Sequence, residues 1–132
     1  MHAPAPLPDL TLDLPVPPSV NRIRRIDRAS LRVVKAWHRV CDKTLLAARC
    51  RTRDPVKLRQ FQGRVALNIV LNESMTAIDL SNCLKALEDY LVRIEIIPDD
   101  GQKYVRRIVL EFGYAPEGIR VTVVSLDAVC AA

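Results

Sequence analysis

The spacing of apolar residues switches repeatedly between the strand period and the helix period, and the order of these switches limits the folds open to the chain. Apolar residues at every second position predict strands, and apolar residues at every third or fourth position predict helices. The predicted elements, in chain order, are a strand at Leu10–Leu14, a helix at Asp27–Arg51, a strand at Gly63–Asn72, a helix that begins at Asp79, and strands at Val105–Phe112 and Ile119–Val124.

Turn signals and element order complete the fold prediction. Gly113, Pro116 and Gly118 separate the last two strands, so these strands are expected to form a β-hairpin. The whole order predicts an α+β fold, a mixed β-sheet covered by two helices. The 132 residues are expected to form one domain, 1–132, in which residues 1–9 are an extended, partly disordered leader because three prolines lie close together there.

Composition and cysteine spacing argue against a membrane-spanning or disulfide-stabilised chain. Hydrophobic residues make up 49% of the sequence but aromatic residues only 5%, so we expect a core of Leu, Ile, Val and Ala. No apolar run approaches the roughly 20 residues that span a bilayer. The four cysteines lack C-x-x-C spacing, and no secretory signal is visible. A cytoplasmic protein with reduced thiols and no membrane partner is therefore expected.

Positive charge is concentrated in one third of the chain. Residues 22–64 contain fourteen Lys and Arg against three Asp, whereas residues 65–132 contain six Lys and Arg against ten Asp and Glu. The basic residues of the first helix fit either a solvated face or, together with the arginines of the preceding loop, contacts to the phosphates of a polyanion. We favour phosphate contacts. The residues expected to make them are Arg22, Arg24, Arg25, Arg28, Arg32 and Lys35.

Acidic residues recur around the second helix. Asp79 lies where a loop meets the start of this helix, Lys85 follows less than two turns later, and Asp99 and Asp100 lie in a turn beyond it. If the chain doubles back after the helix, the carboxylates of Asp99 and Asp100 approach that of Asp79. Carboxylates that lie this close repel each other unless a cation binds between them. Oxygen ligands suit Mg²⁺. With phosphates bound by the basic region, this pattern indicates metal-assisted phosphodiester hydrolysis.

Three short blocks of the sequence resemble the RusA family of Holliday-junction resolvases. They are L-P-V-P-P-S-V-N-R at Leu14–Arg22, D-L-S-N-C-L-K-A-L-E-D-Y-L at Asp79–Leu91, and I-I-P-D-D-G-Q at Ile96–Gln102. The family carries P-P-S-x-N, then D-x-D-N-x-x-K at a helix start, then a D-D-x-Q turn, and the same order occurs here. The resemblance implies a RusA-like, dimeric fold and an Mg²⁺-dependent endonuclease that makes paired, symmetric cuts across a four-way junction.

The resemblance also implies roles for individual residues. Asp79 and Asp100 match the catalytic metal-binding aspartates, and Lys85 matches the catalytic lysine. Asp99, the neighbour of Asp100, is expected to have a supporting role at the metal, and Ser81 stands where the family has the second aspartate of D-x-D-N. The implied cofactor is Mg²⁺.

The same resemblance implies DNA contacts for two asparagines and two binding partners for the chain. Asn21 belongs to the P-P-S-x-N block and Asn82 to the D-x-D-N block, and both are expected to contact DNA. The implied partners are four-way or branched DNA and a second copy of the chain.

Ser81 is the main departure from the family pattern. A neutral hydroxyl is a weaker Mg²⁺ ligand than a carboxylate, so either a nearby acid such as Asp99, Glu73 or Asp89 compensates, or the protein binds branched DNA with weakened or no cleavage. Ser81 can also be a simple helix cap. A third alternative is a small regulatory domain that binds nucleic acid non-specifically through its basic segment alone.

Overall fold

A computed structural model of the chain describes residues 8–17, 28–51, 60–74, 80–99 and 101–127. These residues form strands and helices in the predicted order. The elements are β1 (Leu10–Leu14), α1 (Arg28–Arg51), β2 (Val65–Asn72), α2 (Leu80–Arg93), β3 (Val105–Gly113) and β4 (Ile119–Ser125). The α+β class, with a mixed sheet and two helices, is confirmed. Residues 1–7 of the predicted leader lie outside the described residues.

The strands form one sheet in the order β1-β4-β2-β3. β4 lies antiparallel between β1 and β2, whereas β3 pairs in parallel with β2 at the edge of the sheet. The predicted hairpin between the last two strands is therefore wrong, because β2 separates β3 from β4. The connection through α2 makes β2 and β3 parallel, and β4 then pairs on the other side of β2. Turn residues allow a reversal of the chain but do not select which strands pair.

The core lies between one face of the sheet and the two helices. The inward-facing residues of β1, β2 and β4 are buried, and α1 and α2 close the layer from above with Cys41, Leu87 and Leu91. The largest fully buried side chains are Tyr90, Phe61, Leu10, Leu14, Leu67, Ile69, Leu71, Leu87, Leu91, Ile96, Ile97 and Ile119. Aliphatic residues thus make up most of the core, as the composition predicts.

The opposite face of the sheet carries cross-strand polar pairs. Asp13 on β1 accepts two hydrogen bonds from the Arg120 guanidinium on β4, at 2.7 and 3.2 Å. The hydroxyls of Thr11 and Thr122 lie 3.1 Å apart on the same two strands. Pairs of this kind hold the register of β1 against β4.

The end of α2 leads into the turn that contains Asp99. Glu95 adopts a left-handed conformation (φ 61°), and the amide of Ile96 donates to the carbonyl of Leu91 at 2.9 Å. This reversal ends the helix and directs Ile96 and Ile97 into the core, where both are fully buried. The start of the Asp99 turn is thereby anchored to the core.

The described cysteines are free thiols. Cys41 and Cys83 are buried, and Cys50 is exposed. Burial raises the pKa of the Cys41 thiol to about 12, so this group stays protonated and unreactive at neutral pH.

Within the described part of the chain, no helix has the length and apolar character needed to span a bilayer.

Candidate functional site

Lys85 projects from the exposed face of α2. Leu87 and Leu91 turn the opposite face of this helix into the core, while the Lys85 side chain is 65% exposed. Its ammonium nitrogen lies 3.2 Å from Oδ1 of Asp89, one turn later on the same face. A helix-surface ion pair of this kind contributes only about 0.3–0.5 kcal/mol to stability. The predicted catalytic lysine is therefore at the surface, next to one carboxylate.

Asp99 lies between two anchored segments. It follows the buried Ile96 and Ile97, and the carbonyl of Gly101 accepts hydrogen bonds from the amides of Tyr104 (3.0 Å) and Val105 (3.1 Å), where β3 begins. A Cβ at Gly101 would lie 3.3 Å from Oδ2 of Asp99, so glycine leaves room for this carboxylate. Asp99 is exposed. The supporting metal ligand predicted from the sequence is thus held at the surface.

Most of the other predicted site residues lie outside the described part of the chain. Those residues are Asn21, Arg22, Arg24, Arg25, Asp79 and Asp100. Three more belong to the described helix backbone, but their side chains are not described: Arg28, Ser81 and Asn82. The predicted approach of Asp79 to Asp100, on which the metal site depends, stays a prediction.

The chemistry of the predicted ligand set suits Mg²⁺. Asp79, Asp99 and Asp100 offer carboxylate oxygens and Ser81 a hydroxyl oxygen, and Mg²⁺ prefers oxygen donors. The donor set fits this ion in kind, with one neutral ligand among the carboxylates. Among the described side chains, no group of three or more His, Cys, Asp and Glu forms a metal site.

α1 presents a row of cations to solvent. Arg32, Lys35, Arg39 and Lys43 follow one another at spacings of three and four residues, which places them along one side of the helix, and all are exposed. No ion pair joins them to an acidic side chain in the described ranges. Arg32 and Lys35 are thus exposed and positioned on one face, as the predicted phosphate contacts require.

A cavity of about 430 Å³ lies beside this row. It is lined by Val34, Lys35, His38, Arg39 and Arg93. Three cationic side chains from two helices therefore surround one space. His38 is only 8% exposed, and its buried Nε2 atom has no hydrogen-bond partner among the residues that the structure describes. Buried polar atoms are almost always hydrogen-bonded, so this nitrogen is an exception, and because the atom itself is buried it is not exposed to the cavity.

Packing between the helices holds the parts of the cavity in position. The His38 ring lies 5.6 Å from Trp37 and 5.3 Å from Tyr90 between ring centres. The Tyr90 hydroxyl donates to Oδ1 of Asp42 at 2.7 Å, and Oδ2 of Asp42 lies 3.7 Å from Nη2 of Arg93. One carboxylate on α1 thus orients both a core tyrosine and a cavity arginine on α2.

Electrostatics keep the imidazole neutral at pH 7. Burial first, and then the positive charge of Arg93, lower the pKa of His38 below its ordinary value of 6.5, and Asp42 and Asp89 oppose this shift only partly. A neutral ring offers one nitrogen as a donor and the other as an acceptor.

Three residues of this cavity were not among the site residues predicted from the sequence. Arg39 continues the predicted row one turn beyond Lys35, so helical spacing alone could have added it. His38 could be placed on the buried side of the helix, but its unpaired nitrogen is visible only in the packed structure. Arg93 is 54 positions after Arg39 and gave no sequence signal for this location, because the packing of α2 against α1 brings it there.

Comparison with known proteins does not assign a family: no family model matches the chain, and no curated protein is significantly similar to it.

Proposed function

We propose that the chain is an Mg²⁺-dependent, structure-specific endonuclease that resolves Holliday junctions by paired, symmetric phosphodiester cuts as a homodimer. The observation that carries this proposal is the ordered occurrence of three blocks, P-P-S-x-N, D-x-S-N-x-x-K and D-D-x-Q. The location of the second block at the start of α2 and the exposed Lys85 agree with the family pattern. The cationic row on α1 supports a nucleic-acid substrate.

In the proposed chemistry, four acidic or hydroxyl side chains bind the metal and one amine stabilises charge on the phosphate. Asp79, Asp99, Asp100 and Ser81 would hold Mg²⁺, which when bound supplies Lewis-acid activation of the phosphate and of water. Lys85 stabilises the negative charge that develops on the phosphate oxygens in the transition state.

Substrate binding in this proposal rests on α1. Arg32, Lys35 and Arg39 contact successive backbone phosphates, which gives affinity without sequence preference. The cavity accepts one phosphate between Lys35, Arg39 and Arg93. Two symmetric cuts need two active sites, so a two-fold homodimer is part of the proposed mechanism.

A nicking assay on a synthetic four-way junction, with Mg²⁺ titrated from zero, tests the proposal. We expect cuts at symmetric positions on two strands, and no cuts in a linear duplex of the same sequence. Asp100→Asn should abolish cleavage and retain junction binding, because the substitution removes an anionic ligand and leaves the cationic surface intact. Failure of the purified protein to cut any branched substrate at any Mg²⁺ concentration would exclude the nuclease.

A second candidate function is favoured by Ser81. A junction-binding protein whose metal site has lost a carboxylate would bind branched DNA without cutting it. Ser81→Asp distinguishes the active nuclease from the junction-binding protein. A large gain in cleavage indicates a metal site that has lost a ligand, whereas unchanged cleavage indicates that another residue already provides this ligand.

A non-specific nucleic-acid-binding domain is the third candidate, since the α1 row alone provides affinity for any polyphosphate. It predicts equal affinity for linear and four-way DNA at equal salt concentration. Tighter binding of the junction excludes it.

A further inference from the structure

β3 is a long edge strand with one unpaired side. Its nine residues, Val105–Gly113, pair with β2, and no other described strand pairs with it. In the part of the chain that the structure describes, the backbone groups that point away from β2 therefore have no partner strand. Edge strands are usually protected from pairing with other chains by proline, by bulges or by a covering segment. β3 contains no proline, and its register irregularity is confined to its first residues.

Apolar side chains are exposed along this strand. Ile108, Val109 and Phe112 are 37%, 41% and 49% exposed. Ile108 lies beside Leu67 and Phe112 beside Leu71, and both leucines are fully buried. The helices that cover β2 thus leave part of β3 uncovered, although Leu110 still packs against the core. The core-facing layer of the sheet continues to its edge and ends there in contact with solvent.

The sequence of β3 is complementary to itself when two copies run antiparallel. Arg107 and Glu111 lie at equal distances on either side of Val109. A two-fold axis at Val109 brings Arg107 of each copy opposite Glu111 of the other, and it brings Ile108 opposite Leu110. An axis at Ile108 or Leu110 leaves Arg107 without an acidic partner. Opposite charges at directly opposed positions stabilise an antiparallel pair.

We propose that β3 is the homodimer interface, and that two copies of the chain join β3 to β3, antiparallel and centred on Val109, into one continuous sheet. Each half of the interface contributes the same surface, as a two-fold dimer requires. The paired edges satisfy their free backbone groups, the apolar residues above them are covered, and two Arg107–Glu111 pairs set the register.

The inference rests on the homodimer of the proposed function and identifies the surface through which the two copies associate. The Asp99 turn joins each β3 at Val105, and antiparallel pairing puts the two copies of Val105 at opposite ends of the interface, about 26 Å apart at about 3.3 Å per residue. One candidate active site then lies at each end of the shared sheet. Two separated sites are what paired cuts on two strands need.

Charge reversal tests the interface without any nuclease assay. Sedimentation of the full chain over a range of concentrations should show a dimer. Arg107→Glu or Glu111→Arg alone should raise its dissociation constant at least about tenfold, because each creates two like-charge pairs. The double variant Arg107→Glu/Glu111→Arg should restore dimerisation. Glu117→Arg is the matched control, since it makes the same charge change at an exposed turn outside β3.

Three results would overturn the interface: a wild-type chain that stays monomeric at about 100 μM, a dimer that none of these reversals weakens, and a double variant no better than the single ones. Thermal unfolding of each variant shows that it is folded. A dimer with the expected pattern that cuts no DNA would refute the proposed nuclease and leave the interface supported. A monomer that cuts junctions would refute the interface and the homodimer of the proposed function, and it would leave the nuclease chemistry supported.

A cysteine scan tests the register. In a Cys50→Ser/Cys130→Ser background, Val109→Cys places two thiols directly opposite each other, where Cβ atoms lie about 4.5–5.5 Å apart. Ile108→Cys puts the thiols on the diagonal, at about 7–8 Å, beyond the usual reach of a disulfide. Oxidation should therefore cross-link Val109→Cys faster than Ile108→Cys. Equal or reversed rates would contradict pairing centred on Val109.

Discussion

The ammonium group of Lys85 can act on substrate or only pair with Asp89. Because both side chains are on the exposed face of α2, substitutions can distinguish these two roles. Because the pair is exposed, breaking it changes the free energy of unfolding by at most about 0.5 kcal/mol. If Lys85 stabilises charge on the phosphate, its loss should slow cleavage about a hundredfold or more.

The matched variants are Lys85→Met and Asp89→Asn, both of which break the ion pair. We expect Lys85→Met to abolish most single-turnover junction nicking and Asp89→Asn to retain most of it, with similar thermal stabilities. Equal losses of cleavage in both variants would mean that the ion pair, and not the amine, matters.

His38 should make the stability of the fold depend on pH. Its pKa is lowered in the folded state, chiefly by burial and further by Arg93, so the unfolded chain binds the proton more tightly. The stabilisation is therefore fully present above the unfolded pKa, near 6.5, and is lost as the pH falls through the lower folded pKa. Asp42 and Asp89 reduce the size of this effect without changing its sign.

Urea unfolding at about pH 7.5 and about pH 5 measures this dependence. The free energy of unfolding of the wild-type protein should be lower at the acidic pH, and His38→Leu should show a smaller difference between the two conditions. The chain contains one other histidine, and His2→Gln serves as the control. A pH dependence that both variants share equally would assign the effect to other groups.

At the scale of single elements, the end of α2 is held by an unfavourable backbone conformation. Glu95 has a φ of 61°, a region in which side chains are strained and glycine is not. Glu95→Gly should stabilise the protein by about 0.5–1 kcal/mol. Glu95→Ala keeps the strain and removes only the carboxylate, so it should leave the free energy of unfolding nearly unchanged. Thermal unfolding compares the three proteins, and destabilisation by glycine would show that the strain is absent.

The elements also show which predictions local sequence supports. The helix of residues 28–51 and the strand of residues 65–72 lie where their periodicities predict them, because repetition of apolar residues reports backbone geometry directly. The last two strands were also located correctly, but their pairing was predicted wrongly. Gly118 (φ 126°) forms a turn after β3 that is compatible with a hairpin, and nothing in that turn encodes the intervening β2.

At the scale of the whole molecule, cations from both helices should act together on DNA. Arg39 on α1 and Arg93 on α2 line the same cavity. Each cation that neutralises a phosphate contributes about 0.9 to the slope of log affinity against log salt concentration. Arg39→Gln and Arg93→Gln should each weaken junction binding and lower that slope by about one.

Lys103→Gln is the control for this measurement, because it removes an exposed cation that lies in the turn before β3 and does not line the cavity. Fluorescence anisotropy with a labelled junction at several salt concentrations gives the slopes. If Lys103→Gln lowers the slope as much as the two cavity variants do, the cavity is not a preferred phosphate site.

The sequence alone determined the elements, their order, the α+β class and the concentration of positive charge on the first helix. These properties depend on residues within a few turns of one another, so local spacing is enough to read them. The tertiary structure decided that β4 lies between β1 and β2, that Arg93 joins the α1 cations, and that β3 keeps an apolar edge in solvent. These features arise from contacts between residues far apart in the chain, and no local pattern specifies which distant surfaces meet.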